Sequence, residues 1–242
     1  MDDTRIALVT GGNKGIGYEI ARQLGAAGAV VVLGARDRQR GETAAAALRS
    51  GGLDAQWVRL DVTDPATIEA AAKWIEQAHG RLDVLVNNAG VALEWGVEPT
   101  ALPVQQLRDT FETNVFGVVA VTNAMLPLLR RAPAARIVNM SSSLGSLARA
   151  SDPSSDQYWV PLLAYNASKA ALNRITLQYA AALRDTSIKV NAACPGFCAT
   201  DLNGHRGHRT ASQGAAIAVH LATVPDGGPS GGFFDDDGPV PW

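Results

Sequence analysis

The 242-residue chain has little cysteine, almost no net charge and no long apolar run. Its two cysteines, Cys194 and Cys198, are too few for a disulfide framework, and their spacing matches no set of metal ligands. Both are expected to be ordinary thiols in a reducing compartment. A net charge of −2 offers no basic surface to nucleic acid or anionic lipid. No apolar run is longer than that from Ala29 to Leu33, far short of a bilayer span. The opening Met1-Asp2-Asp3 is acidic where a signal peptide would be basic. Together these features lead us to expect a cytoplasmic protein without nucleic acid, membrane or metal.

What the chain does have is alternation. Ile6 to Val9 reads as a strand stopped at Thr-Gly-Gly, and apolar residues then recur at helical spacing from Ile16 to Leu24. Val30 to Leu33 is a second strand, Arg38 to Leu48 a polar helix, and Gln56 to Leu60 a third strand. Asp64-Pro65 has the form of an N-cap followed by proline at the first helical position, opening a helix to about Ala78. Val84 to Val86 is a fourth strand, Val104 to Leu129 one long helix, and Arg136 to Met140 a fifth strand. A helix from Leu163 to Leu183, a strand from Ile188 to Ala193 and a helix from Ser212 to Ala222 complete the pattern, with Gly232 to Phe234 as a short edge strand. The expected fold is a single-domain α/β structure of Rossmann type. It is a doubly wound parallel sheet of about seven strands with helices on both faces, and ligands bind beyond the strands' carboxyl ends.

The turn Thr10-Gly11-Gly12-Asn13-Lys14-Gly15-Ile16-Gly17 joins the first strand to the first helix. Glycines there permit a tight turn and let the backbone approach a pyrophosphate on the free N–H groups of the helix start. An NAD site places an acid at the end of the second strand to bond the ribose 2′-hydroxyl. Gly34-Ala35-Arg36 instead puts a cation after a small residue, and Lys14 can reach the same point. Two cations suit a phosphate dianion, so NADPH/NADP+ is the expected cofactor.

Further pieces fall at strand ends. They are Leu60-Asp61-Val62, Asn87-Asn88-Ala89-Gly90, Ser141-Ser142-Ser143, Tyr165-Asn166-Ala167-Ser168-Lys169 and Pro195-Gly196, with Asn114 in the long helix. In this order they resemble the short-chain dehydrogenase/reductases over nearly the whole chain. TGGNKGIG, NAACPGF and the ending GGFFDDDGPVPW are most similar to the NADPH-dependent carbonyl reductases of that family. The resemblance implies Asn114, Ser142, Tyr165 and Lys169 as catalytic residues. Tyr165 would give a proton to a carbonyl oxygen, Ser142 would hold that oxygen, Lys169 would bind the nicotinamide ribose, and Asn114 would support a water leading to solvent. Gly145, three residues on, selects Ser142 among the three serines.

Tyr165 and Lys169, four apart, share a helix face, and a neighbouring cation is expected to lower the phenol pKa. By position, Gly11, Asn13, Lys14, Gly15, Ile16, Gly17 and Arg36 would meet the phosphates. Asp61 and Val62 would border the adenine, Asn88, Ala89 and Gly90 the adjoining ribose, and Pro195, Gly196, Phe197, Cys198 and Thr200 the nicotinamide. Asn87 reads as structural, tying neighbouring strands.

The remaining segments leave alternatives open. An insertion at about 146–162, Pro/Ser-rich from Arg149 to Val160, is either a solvated loop or a flap over the pocket. His205 and His208 lie among glycines that disfavour a helix, in a loop expected at the substrate mouth at about 197–211. Asp235 to Asp237 reads as a solvated turn. Trp95, Trp159 and Trp242 suit either a pocket rim or core packing. The expected partner is a small-molecule carbonyl substrate, the expected assembly a monomer or homodimer. The competing functions are a dinucleotide-binding regulator without turnover and an alcohol dehydrogenase working oxidatively.

Overall fold

The computed structural model describes residues 4–242, so the acidic opening lies outside the described residues. In β1 (Ile6–Thr10), Ile6 and Leu8 enter one apolar layer while Ala7 and Val9 enter the other. Every residue of the strand is buried, as a parallel strand covered on both faces requires. α1 (Gly15–Ala26), β2 (Val30–Ala35), α2 (Arg38–Ser50), β3 (Ala55–Arg59), α3 (Pro65–His79) and β4 (Val84–Asn87) follow. Asp64 caps α3 by accepting the Ala66 N–H at 3.0 Å, with Pro65 at the first helical position as expected.

The expected long helix does run from 104 to 129, but it is not uniform. α4 (Val104–Phe111) passes into a π turn over Glu112–Phe116 and then α5 (Gly117–Leu129). By length and composition this helix could cross a bilayer. Its second half is instead laid on the sheet, with Val118, Val121, Met125, Leu128 and Leu129 buried.

Next come β5 (Arg136–Met140), a short α6 (Leu147–Ala150), α7 (Leu163–Ala182), β6 (Lys189–Ala193), α8 (Ala211–Thr223), β7 (Phe233–Asp235) and β8 (Gly238–Pro239). The sheet order is β3-β2-β1-β4-β5-β6-β7-β8. α1, α2 and α8 pack on one face through Ile20, Leu24, Leu48 and Leu221; α3, α5 and α7 pack on the other through Ile68, Ile75, Met125 and Ala180.

Among the described residues the sheet therefore has eight strands, close to the seven or so expected, and β7 is not its edge. Asp235 Oδ1 accepts the Asp237 N–H at 3.0 Å, Gly238 takes φ +124°, and the tail turns back as β8 antiparallel to β7. Pro239 is tolerated there because an edge strand has one side without a partner. The insertion begins with α6 and is bound to this tail: Ser146 Oγ donates to the Pro241 carbonyl at 2.7 Å and Ala148 N to that of Trp242 at 2.9 Å. Trp242 stacks on Phe233, a core role, whereas Trp159 is 81% exposed.

α7 crosses the end of β5 at very close range. A Cβ built on Gly145 would lie 2.6 Å from the Lys169 carbonyl carbon and 2.8 Å from its Cβ. The obstacle is largely backbone, which cannot swing aside. Gly145→Ala is expected to cost about 1–3 kcal/mol of stability, as overpacking does. Urea denaturation should show a lower midpoint with an unchanged slope, and an unmoved midpoint would contradict this packing.

Candidate active site

β1 and β4 are neighbours in space but not in sequence, and the strand order reverses there, opening a crevice at their carboxyl ends. Thr10 closes its floor: its Oγ1 accepts the N–H groups of Asn88 at 2.9 Å and Ala89 at 3.0 Å. The Asn88 amide in turn donates to the carbonyls of Thr10 at 2.9 Å and Gly11 at 3.3 Å. Its side chain thus braces the glycine turn. Gly11 and Gly15 sit at φ +63° and +55°, and a Cβ on Gly17 would lie 2.5 Å from the Gly11 carbonyl oxygen. Half-buried Ile16 packs against the core, and Asn13 is half-buried beside it.

α1 starts with Lys14 in extended conformation, with no side-chain cap and no acid in its first turn. Its first N–H groups are thus oriented to receive an anion. Arg36, past the end of β2, is exposed and makes no ion pair among the described residues. The acid that follows, Asp37, accepts the Arg40 N–H as the cap of α2. Lys14 does not stand free. Its Nζ pairs with Asp201 at 2.6 Å, so it is drawn to the 197–211 loop.

Asp61 and Val62 lie at the end of β3, half-buried. Asp61 Oδ1 accepts from the Thr63 N–H and hydroxyl, and Val62 packs where a Cβ on Gly117 would clash. Asn87 ties strands as expected, donating to Thr122 Oγ1 at 3.0 Å and Asn139 Oδ1 at 2.9 Å.

The four residues expected to carry the chemistry come together between β5, α7 and the π turn. Lys169 is buried, its Nζ donating to the Met140 carbonyl at 2.7 Å and lying 5.5 Å from the centre of the Tyr165 ring. Ser142, just past β5, lies beside the Tyr165 phenol, and its Oγ accepts the Leu144 N–H at 3.2 Å. Fully buried Asn114 sits within the π turn, a helix irregularity frequent at functional sites. Its Oδ1 accepts the Val91 N–H at 2.9 Å, and its Nδ2 donates to the Val91 carbonyl at 2.9 Å and Ser168 Oγ at 3.0 Å. Ser168 Oγ donates to the Tyr165 carbonyl at 2.7 Å. Both amide protons of Asn114 are thus spent on scaffold. Gly90 lies between Asn114 and Lys169, where a Cβ would be 3.4 Å from Asn114 Oδ1 and 3.7 Å from Lys169 Nζ.

One electrostatic expectation reverses. Burial pushes the Tyr165 phenol above its ordinary range, outweighing the lowering effect of the nearby Ser142 hydroxyl, with Cys194 and Glu94 adding to the rise. Burial also lowers Lys169 to about 8. Sharing a helix face with a cation does not prevail over removal from water.

The loop after β6 folds over the glycine turn. Gly196 takes φ +71°, and the Cys198 thiol donates to the Pro195 carbonyl at 3.3 Å. Backbone bonds from Arg209 N to Phe197 O and from Ala199 N to Arg209 O close the loop, and Thr200 abuts Gly15. His205 Nε2 meets Asp201 at 2.9 Å, and the His208 ring tilts against that of Phe197. Trp95 Nε1 donates to the Leu202 carbonyl at 2.8 Å, while Arg206 lies over the Trp95 ring at 4.4 Å. Trp95 therefore anchors this loop. Asp235 and Asp236, expected in a solvated turn, pair with Arg149 and Arg209. Within the insertion, Gln157 Nε2 donates to Ser143 Oγ at 2.8 Å, reaching the serine turn.

The family model of the short chain dehydrogenases matches residues 5–211. The chain belongs to that family. A short-chain dehydrogenase of similar sequence is (−)-isopiperitenone reductase of Mentha piperita, 35% identical over 96% of each chain. The NADPH carbonyl reductase 1 of Rattus norvegicus is 34% identical over 99% of each. Among solved structures, the NADPH-bound carbonyl reductase from chicken fatty liver superposes with a TM-score of 0.86 at 29% identity, covering 99% of each chain.

Thr10, Ser168 and Glu94 were not singled out from sequence. Thr10 and Ser168 do lie inside the motifs TGG and YNASK, where a hydroxyl facing a strand or helix end could have been suspected. For Glu94 no local pattern points to a role.

Lys169 has a measurable signature. Its pKa falls from an ordinary 10.5 to about 8 in the folded protein, so between those values the unfolded chain binds more protons. Unfolding free energy should therefore rise with pH across that window, while the burial penalty is fully present below it. Denaturation at a series of pH values should show this rise in the wild type relative to Lys169→Met. A flat difference would contradict the buried ammonium.

Proposed function

We propose that this short-chain dehydrogenase reduces a ketone or aldehyde with NADPH, using Tyr165 as the proton donor. The observation that carries this reading is the buried Lys169 ammonium 5.5 Å from the Tyr165 ring, with Ser142 beside the phenol. A hydroxyl and a phenol side by side can each donate to one carbonyl oxygen. Charge developing on that oxygen is met by both, and the phenol proton moves to it. The fact that burial holds the phenol protonated fits a donor better than a base.

The residues around the crevice fit a phosphorylated dinucleotide. The uncapped start of α1 and the Gly11–Gly17 turn would cradle the pyrophosphate. Arg36 would bind the 2′-phosphate, joined by Lys14 when it leaves Asp201. Asp61 and Val62 would border the adenine, Asn88 to Gly90 the ribose, and Pro195 to Thr200 the nicotinamide, with Lys169 on its ribose hydroxyls. The bound cofactor supplies the hydride to the carbonyl carbon. Asn114, rather than holding water by its amide, would fix the Gly90–Val91 backbone and the Tyr165 turn. The insertion and the 197–211 loop would shape the substrate pocket. The reductase names of the relatives and the NADPH of the chicken enzyme support this direction over alcohol oxidation.

Screening aldehydes, ketones and quinones by loss of NADPH absorbance would find the substrate. With it, Tyr165→Phe should lower kcat by about 100-fold or more while NADPH still binds; turnover near the wild-type rate would refute the proton donor. Arg36→Ala and Lys14→Ala should each weaken NADPH by about 10-fold or more, with NADH little affected. Equal losses for the two cofactors would remove the 2′-phosphate assignment.

A further inference from the structure

α7 carries both Tyr165 and Lys169, yet it begins without a cap of its own. Leu162 occupies the cap position, offers no side-chain hydrogen bond, and no acid stands in the first turn. The N–H that a capping side chain would take is that of the third helical residue, Tyr165. It is taken by Glu94, 71 positions earlier in the chain, whose Oε1 accepts it at 2.7 Å. The other oxygen, Oε2, accepts the Leu93 N–H at 3.2 Å.

Glu94 is only 1% exposed, and among the described residues no cation pairs with it. A buried, unpaired carboxylate is costly, and it persists only where fixed dipoles offset that cost. Here the dipoles are the N-terminal end of a 20-residue helix and the two amides. A neutral cap would satisfy the Tyr165 amide equally well, so the charge is not needed for capping alone.

We propose that Glu94 is a positioning residue of the reaction, holding the Tyr165 turn by its amide and adding its charge to the burial that favours the proton-donating phenol. The inference rests on the role of Tyr165 given above. Four groups face Tyr165. Lys169 comes from its own helix, Ser142 from the end of β5, Cys194 from the end of β6, and Glu94 from the segment after β4. The positive end of α7 and the Lys169 ammonium favour phenolate. Glu94 opposes both, in line with its upward effect on Tyr165. Glu94 also precedes Trp95, which anchors the loop at Leu202, so one short segment registers the tyrosine against the substrate loop.

The test separates charge from hydrogen bond. Glu94→Gln keeps an oxygen acceptor for the Tyr165 amide and removes the charge; Glu94→Ala removes both. In protein saturated with NADP+, the ultraviolet absorbance of tyrosinate is titrated, and each variant is compared with its own Tyr165→Phe counterpart to isolate one phenol. The Tyr165 midpoint is expected to fall by about one pH unit in Glu94→Gln, and the high-pH limb of kcat for reduction should fall with it. Glu94→Ala should show the same fall in midpoint together with a lower Tm. An unchanged midpoint in either folded variant overturns the proposal, and so does failure of both to fold, which would make Glu94 a structural cap only. Full turnover in Tyr165→Phe would instead remove the underlying reading, whatever Glu94 does.

Discussion

The Lys169 ammonium is buried on the last carbonyl of β5, and the rest of the site is arranged around that contact. A lysine in the interior loses hydration that one carbonyl cannot replace, which is why its pKa falls. The contact nonetheless fixes α7 against β5 at the turn where Gly145 removes every atom beyond Cα. Once the helix lies there, Tyr165 is one turn earlier and must come beside Ser142. The spacing of four residues, an unremarkable helical interval, becomes a geometric statement only through this packing.

The same arrangement sets the electrostatics. Three groups near the phenol act in different senses: the serine hydroxyl favours phenolate, while the buried carboxylate and the Cys194 thiol disfavour it. Desolvation is the largest influence and acts in the same sense as the carboxylate and Cys194, so the serine's opposite effect is overridden. A protonated phenol next to a second hydroxyl is an arrangement for receiving negative charge on a substrate oxygen. Both cysteines are tied to the backbone: Cys194 accepts the Ser143 N–H and Cys198 donates to the Pro195 carbonyl.

Much of this was readable from the chain, for physical reasons that differ by element. β1, β4 and the Asp64-Pro65 helix start were legible because alternation and capping are local. Tyr165, Lys169 and Ser142 were picked out by their ordered motifs through a family resemblance, and the structure brings these three side by side. β8 was not, since two residues, one of them proline, carry no pattern, and only pairing with Phe234 and Asp235 defines them. The π turn was hidden because an extra residue in one helical turn barely disturbs apolar periodicity. Glu94 and the Lys14–Asp201 pair were hidden for a stronger reason. Both depend on contacts across many tens of residues, and a lone acid in a loop looks the same whether it caps a distant helix or faces water.

The Lys14–Asp201 pair bears on how the crevice can admit a dinucleotide at all. Both side chains are about half exposed, so water and salt screen the attraction, and such a pair is worth about 1 kcal/mol or less. In the proposed site a phosphate dianion held by Lys14 and Arg36 would engage two cations with more charge than one carboxylate carries. Under that proposal, exchange of Asp201 for phosphate would cost little and gain more. The loop closed by Asp201 also carries Thr200 against Gly15 and is tied to Trp95 beside Glu94. Releasing Lys14 leaves those other ties in place, so the loop need not come away from the tyrosine helix for the cofactor's phosphate to be accommodated.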